Sequence, residues 1–372
     1  VLVVCSLVAG RGLMKTFSTR PGFDAKGLSV VALDPIMASY SPEKAEQFQR
    51  RALEAVSQLP GVIGAAYAGS IPMTTDQSNT TIYKESDVER RMEQAKLIQY
   101  FHVSPGYFQT MGTRLLAGRE FDWRAPNPNA PVAIVNETFA RQIVGTVDAV
   151  GKHFRYAGGL LVEIIGVAED GKYFTFTEEP KPVMYQPIVG SKRTDTYLLV
   201  RSSRPESDMA ADMARVVKSL DPAIPVYGVG RVIDLMGLAF LPAWISSIAL
   251  GAFGLLGMML AVMGIYGLAS YSVARRVREI GIRMAIGARP GQVLQSVLGR
   301  VALLVGIGSM VGLALGLASG GVMSKVVYQA SPSDPLTLVG VAVLMLAIAL
   351  GSTLGPIRRA VTINPLRALR QD

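Results

Sequence analysis

The chain has 372 residues, half of them hydrophobic, and a net charge of +9, a length that allows two or three domains. From residue 240 onward eleven Lys/Arg face three acids, whereas the first 239 residues are almost balanced. A basic excess flanking apolar runs is a membrane-topology pattern and argues against a nucleic-acid binder, whose charge lies on a folded, aromatic-containing face.

One cysteine, Cys5, excludes an internal disulfide framework, and two histidines, His102 and His153, leave little material for a zinc site. The first residues, "VLVVCSLVAG", are apolar but too short to cross a bilayer. They lack a basic n-region and a small-residue cleavage site, so they do not read as a signal peptide. Residues 1–15 are expected to be the outer end of a first transmembrane helix that begins before Val1.

Residues 16–240 read as an extracytoplasmic α+β domain. "LSVVALDP" (28–35) predicts a strand rich in β-branched residues. "SPEKAEQFQRRALEAVSQL" (41–59) predicts a helix with Ser41 as N-cap and Pro42 at the first position, its apolar stripe being Phe48, Ala52, Ala55, Val56 and Leu59. "GVIGAAYAG" (61–69) supplies the next strand. Further on, 130–143 predicts a strand and a short helix, and 160–169 and 182–188 predict strands. A strand–helix pair then returns at 196–202 and 205–220. This order implies two nested subdomains, the inner one inserted over about 126–195, with joints at Pro126–Asn129 and Gly190–Asp195.

The domain shows little catalytic chemistry. "GTVDAVGKH" (145–153) has five residues between its glycines and His153 where a phosphate loop needs Ser or Thr, so it reads as a surface turn. Ser70 and Ser104 lie outside any Gly-x-Ser-x-Gly elbow. His102 is two residues from Ser104, but no acid is placed to complete a triad. The expectation is no catalytic residue, no cofactor and no metal.

Three segments lack charge altogether: 235–274, 301–324 and 335–357. Each is long enough for a span of roughly 20 residues, and spans are expected at about 244–269, 301–323 and 336–357. The first run exceeds one span, so part of it should protrude as a stalk, with Trp244 as an interface anchor. Ten of the eleven basic residues fall in 275–300 and 358–370, which places both segments in the cytoplasm and the large domain outside. Gly308, Gly312, Gly316 and Gly320 recur every fourth residue and would let another helix approach closely, a neighbouring span or a second copy. No charge interrupts the spans, so they offer no polar conduit.

Between the first two runs lies "RRVREIGIRMAIGARPGQV" (275–293). Val273, Val277, Ile280 and Met284 form one apolar face, and Glu279 can pair with Arg275 or Arg283. Gly287 fits a helix stop and Pro290 the first turn of the next helix. From these residues alone, a lipid-surface helix held by anionic headgroups comes first and a docking helix for a cytoplasmic partner second.

Several long stretches resemble the MacB/FtsX-type permeases of ABC transporters, in particular the C-terminal unit of the duplicated orphan (ADOP) type. They are "VSPGYFQTMGTRLLAGREF" (103–121), "PVAIVNETFAR" (131–141), "VMGIYGLASYSVARRVREIGIRMAIGA" (262–288), "SPSDPLTLVGVAVL" (331–344) and "GPIRRAVTINPLRALR" (355–370). The family's usual Trp-Pro-Gly-like segment is replaced by "QIVGTVDAVGK" (142–152). The resemblance implies a membrane α-helical, four-span FtsX-like unit (241–372, first span truncated) plus a MacB periplasmic core-like domain (16–240). It further implies a cytoplasmic ABC ATPase partner that pushes on a coupling helix. Arg275, Arg276, Arg278, Glu279, Gly281, Arg283, Gly287 and Ala288 then occupy that helix. Implied partners are a second permease unit, membrane lipids and a periplasmic adaptor, in the bacterial inner membrane. The expected function is export, with a membrane-anchored sensor or scaffold of the same architecture as the alternative.

Overall fold

The computed structural model describes residues 21–275, apart from 125, 126, 128, 177 and 192, together with scattered helical positions between 303 and 351. Two compact units are distinguished, one spanning Arg20–Leu241 and one to which Pro242 and the residues after it belong.

The first unit contains eleven strands among the described residues. An outer layer is formed by β1 (Leu28–Leu33), β2 (Val62–Ala68), β10 (Thr196–Ser202) and β11 (Val226–Arg231), hydrogen-bonded in the order β11-β1-β10-β2 and all antiparallel. Helix α1 (Pro42–Ser57) connects β1 to β2, and α3 (Glu206–Leu220) connects β10 to β11. This is two β-α-β units interleaved in one sheet.

Both helices form for local reasons. The Ser41 hydroxyl accepts the Lys44 amide at 3.3 Å, Pro42 opens the first turn, and Glu43 sits near the positive helix end. Phe48, Ala52, Leu53 and Val56 of α1 and Met209, Met213 and Val217 of α3 pack with Val31, Leu33, Leu198 and Val200 into one core. Ala55 and Leu59, expected in the apolar stripe, are only partly buried, whereas Ala45 and the polar Gln49 are buried. Gln49 is satisfied: its Nε2 donates to Thr196 Oγ1 at 3.0 Å and to the Thr194 carbonyl at 3.3 Å.

Between β2 and β10 the chain builds a second layer from β3 (Ser78–Lys84), β4 (Lys96–Val103), β6 (Val132–Asn136), β7 (His153–Tyr156), β8 (Leu161–Ala168) and β9 (Val183–Pro187). Successive pairings run β4-β3-β7-β8-β6-β9, and β9 pairs back in parallel with β4, so the six strands close on themselves. Strand β5 (Leu115–Gly118) lies on the outer side of β8. Ile82, Ile98, Val135, Phe154, Val162, Ile164 and Met184 pack within the ring, joined by Phe139 and Ile143 from the turn after β6. Strands β3 and β4 belong to this layer although they lie well before residue 126, where the sequence suggested that the insertion begins.

Helix α4 (Gly237–Ala274) dominates the described part of the second unit. Its 38 residues correspond to about 57 Å, against a hydrocarbon thickness of about 30 Å. Ile248–Leu268 has a mean hydropathy of 2.3, long and apolar enough to span a bilayer. Trp244, Ile248, Phe253, Leu256, Met259, Leu260 and Met263 are all exposed, so the helix is apolar all round, as a membrane span is. It is the one such helix among the described residues. Of the expected spans 301–323 and 336–357, isolated positions are described, Leu303, Ile307, Val311 and Val343 among them, all helical and exposed. The expected span end at 1–15 lies outside the described residues.

Candidate functional site

Of the expected coupling residues, Arg275 alone is described. It is exposed at the end of α4, and its amide donates to the Tyr271 carbonyl at 3.0 Å, carrying the helical pattern one residue beyond Ala274. Arg276, Arg278, Glu279, Gly281, Arg283, Gly287 and Ala288 lie outside the described residues. In the glycine ladder, Gly308 and Gly312 are helical, and a Cβ built on Gly308 would meet nothing within 4 Å among the described residues. Gly316 and Gly320 lie outside the described residues.

The structure assigns Ser104 a structural task. Its hydroxyl accepts the Tyr67 amide at 2.8 Å and donates to the Pro105 carbonyl at 3.0 Å, bracing the turn after β4. His102 does not pair with it: among the described residues the imidazole Nδ1 is buried without a hydrogen-bond partner, as is the Ser70 hydroxyl. Burial and the nearby Arg193 guanidinium bring the His102 pKa down to about 4, which keeps the ring neutral. Arg193 lies against Gly69, where a Cβ would sit 2.9 Å from its Cδ. The guanidinium reaches Asp195 at 3.0 Å and Asp76 at 3.5 Å. This ion cluster, which includes two residues of the expected joint at Gly190–Asp195, was not legible in the sequence, because Asp76 lies 117 positions from Arg193.

A second tie holds the segment through which the chain reaches β1. Arg201 of β10 donates to three backbone carbonyls, Asp24 at 2.6 Å, Thr110 at 2.7 Å and Lys26 at 2.9 Å. Such a fork is within reach of a guanidinium but not of an ammonium. The Lys172 amide donates to the Pro21 carbonyl at 2.7 Å, and Thr113 Oγ1 to the Gly22 carbonyl at 2.9 Å. Gly22 has φ +82°, and a Cβ there would fall 2.5 Å from the Asp170 carbonyl oxygen. The backbone approach therefore requires glycine. Residues 21–24 are thus fastened to the second layer as well as to the outer one.

The layers meet at an aromatic knot. Phe101 of β4 lies 5.7 Å from Tyr173 and 5.9 Å from Tyr185 of β9. Phe108, on the short helix α2 (Tyr107–Met111) that packs on β2, meets Tyr185 edge-on at 4.9 Å. The Tyr173 and Tyr185 hydroxyls approach to 3.3 Å, and burial raises both pKa values far above the usual phenol range.

These features describe an α+β domain of two layers followed by a long, uniformly apolar helix. Known proteins match that pairing. The MacB-like periplasmic core domain family matches residues 1–219, and the FtsX-like permease C-terminal domain matches 251–365. The chain belongs to the MacB-like periplasmic core family and carries an FtsX-like permease region after it, the domain pair of ABC transporter permeases. That pair places it in the inner membrane with a periplasmic domain.

Among curated relatives, the macrolide export ATP-binding/permease protein MacB of Neisseria meningitidis serogroup A is 22% identical over 314 residues, covering 82% of this chain and 47% of that protein. The probable syringafactin export ATP-binding/permease protein SyfD of Pseudomonas syringae pv. syringae is 27% identical over 289 residues, covering 73% and 42%. The chain therefore spans about half the length of the curated relatives it matches. The periplasmic region of MacB from Actinobacillus actinomycetemcomitans is 13% identical, with a TM-score of 0.37, covering 57% of this chain and 93% of that one.

Proposed function

We propose that this chain is the permease part of an ABC-type exporter. In this reading a separate cytoplasmic ATPase does the chemical work, and the permease turns it into movement of the periplasmic domain. The observation that carries the reading is the succession of a MacB-like core and an FtsX-like permease region along one chain. Its relatives are export proteins by name.

Three features of the chain's own geometry support the mechanical part of this reading. Helix α4 is about 57 Å long and crosses a bilayer of about 30 Å with several turns to spare. It begins only a few residues after β11 of the periplasmic core. A displacement of residues before Pro21 would reach the second layer through the Pro21–Lys172 bond and the outer layer through Arg201. We assign four spans, residues 1–15 belonging to the first and the others lying at about 244–269, 301–323 and 336–357. The stretch 275–288 is the ATPase-docking helix, and the ladder from Gly308 to Gly320 is a helix-packing seam. A second permease unit, the surrounding lipids and a periplasmic adaptor complete the assembly. The periplasmic domain is residues 16–240, its inner part being the closed layer of β3, β4 and β6–β9.

The test is co-purification in detergent with the ABC ATPase encoded nearest to this chain. Wild type is expected to retain the ATPase, and Glu279→Arg and Arg283→Glu are each expected to lose at least tenfold of it while membrane insertion persists. Retention unchanged by both substitutions would remove 275–288 as the docking element. No retention by correctly inserted wild type would favour a membrane-anchored sensor or scaffold.

A further inference from the structure

A cleft of about 390 Å³ opens beside the hairpin β3–β4, and nothing in the exporter reading uses it. Its most unusual component is Gln99. That side chain lies on β4 with 9% of its surface exposed, and its Nε2 is enclosed without any partner. No hydrogen bond to the Gln99 amide is present among the described residues. Buried amides are almost always satisfied, so an unsatisfied one needs an explanation. Neighbouring Gln77 differs: its Nε2 is committed to the Thr74 and Tyr173 carbonyls, both at 3.1 Å.

The rest of the cleft has two characters. Leu97 and Phe174 are 72% and 51% exposed, and with Pro182 they form an apolar wall. At the rim stands Lys181, its side chain half exposed and its ammonium 3.4 Å from the Glu178 carboxylate, a single pairing for a group with three N–H donors. The Glu178 carboxylate is itself held by the Phe174 amide at 3.2 Å, which fixes that side of the cleft.

We propose that this cleft binds an extended peptide segment carrying a large apolar side chain next to a carboxylate. A primary carboxamide presents a donor and an acceptor side by side, matching the N–H and C=O of one residue in an extended chain. Its terminal torsion is broad and two-fold, so either end can turn toward the ligand, and in Gln99 no existing bond has to break. Leu97, Phe174 and Pro182 take the apolar side chain, and Lys181 takes the carboxylate. A fatty acyl chain would fill the same wall but leave Gln99 unsatisfied, so the amide selects a peptide over a lipid. The inference does not rest on the exporter reading, because binding is read on the chain itself.

The test uses the full chain in detergent, photolabelled with N-acetyl-photoleucyl-glutamate and mapped by mass spectrometry. Adducts are expected within 97–99 and 174–182, competed by N-acetyl-leucyl-glutamate and not by octanoate. Gln99→Leu is expected to lower their yield at least tenfold. Leu97→Ser, at an exposed position that leaves the core untouched, should lower it severalfold and keeps the test valid if the Gln99 variant fails to fold. Adducts that survive substitution in folded protein, adducts confined to other regions, an absence of adducts, or equal competition by octanoate would each overturn the proposal.

Discussion

His102 shows how a residue that invites a catalytic reading acquires a different physical meaning once its neighbours are placed. A histidine two positions from a serine suggests a base and a nucleophile, yet Ser104 bonds the Tyr67 and Pro105 backbone instead. Burial and Arg193 hold the His102 pKa near 4, below its ordinary 6.5. Below pH 6.5 the unfolded chain therefore binds a proton that the folded chain refuses, so stability present above 6.5 is lost as pH falls toward 4. Arg193, Asp76 and Asp195 surround the site, and burial also raises the Asp76 pKa. Wild type should lose on the order of 2 kcal/mol between pH 6.5 and 4 through this one group, and His102→Gln should flatten that part of the profile. Denaturant titrations at several pH values read the difference. Identical profiles would show that the imidazole is protonated in the folded state.

Individual elements divide into those whose cause is local and those whose cause is not. Helix α1 is local: the cap, the proline at N1 and the apolar spacing are all readable in "SPEKAEQFQRRALEAVSQL". Ser41→Ala should therefore cost about 1 kcal/mol, while Ser41→Asp should keep most of it because a carboxylate also caps. Thermal unfolding distinguishes the two variants. Strand β1, buried at every position, was equally legible. Strand β3, "SNTTIYK", was not: it is largely polar, and only Ile82 and Tyr83 are buried. Strand β11, "VYGVGR", contains two glycines, with Gly228 at φ +56°, and β1 shifts register against it. Both strands exist because neighbours hydrogen-bond to them, a tertiary cause that weak local propensity does not announce. Helix α4 is the opposite case, since an uninterrupted apolar run of that length has few other stable forms.

For the molecule as a whole, the periplasmic unit has two cores that share little backbone pairing. The register between β2 and β4 consists of the single pair Ala68 and Val103. The aromatic knot of Phe101, Phe108, Tyr173 and Tyr185 supplies much of the remaining connection. Aromatic contacts of this kind couple elements beyond their buried area. Phe101→Ala should cost about 3–5 kcal/mol and split a single urea transition into two, monitored by amide exchange in the outer and inner strands separately. One cooperative transition at lower denaturant would show that the layers are coupled elsewhere. A joint that is narrow in backbone but dense in side chains suits a domain proposed to relay movement. It holds the layers together while few ladder bonds resist a change in their angle.

By itself the sequence determined the outer elements β1, α1, β2, β10 and α3, the apolar runs, their basic flanks and the family resemblance. Each of these is a repeat, a cap or a charge asymmetry within some tens of residues, and local periodicity survives without knowledge of distant partners. The docking role proposed for 275–288 rests on the family resemblance of that stretch, since its charge pattern alone favours a lipid-surface helix. Only the tertiary structure decided that β3 and β4 close a ring with β6–β9, that Pro21 is bonded to Lys172, and that Gln99 faces a cleft unsatisfied. These depend on pairing between segments separated by some 80 to 150 positions. There the identity of either partner says little until the chain has brought both to the same place.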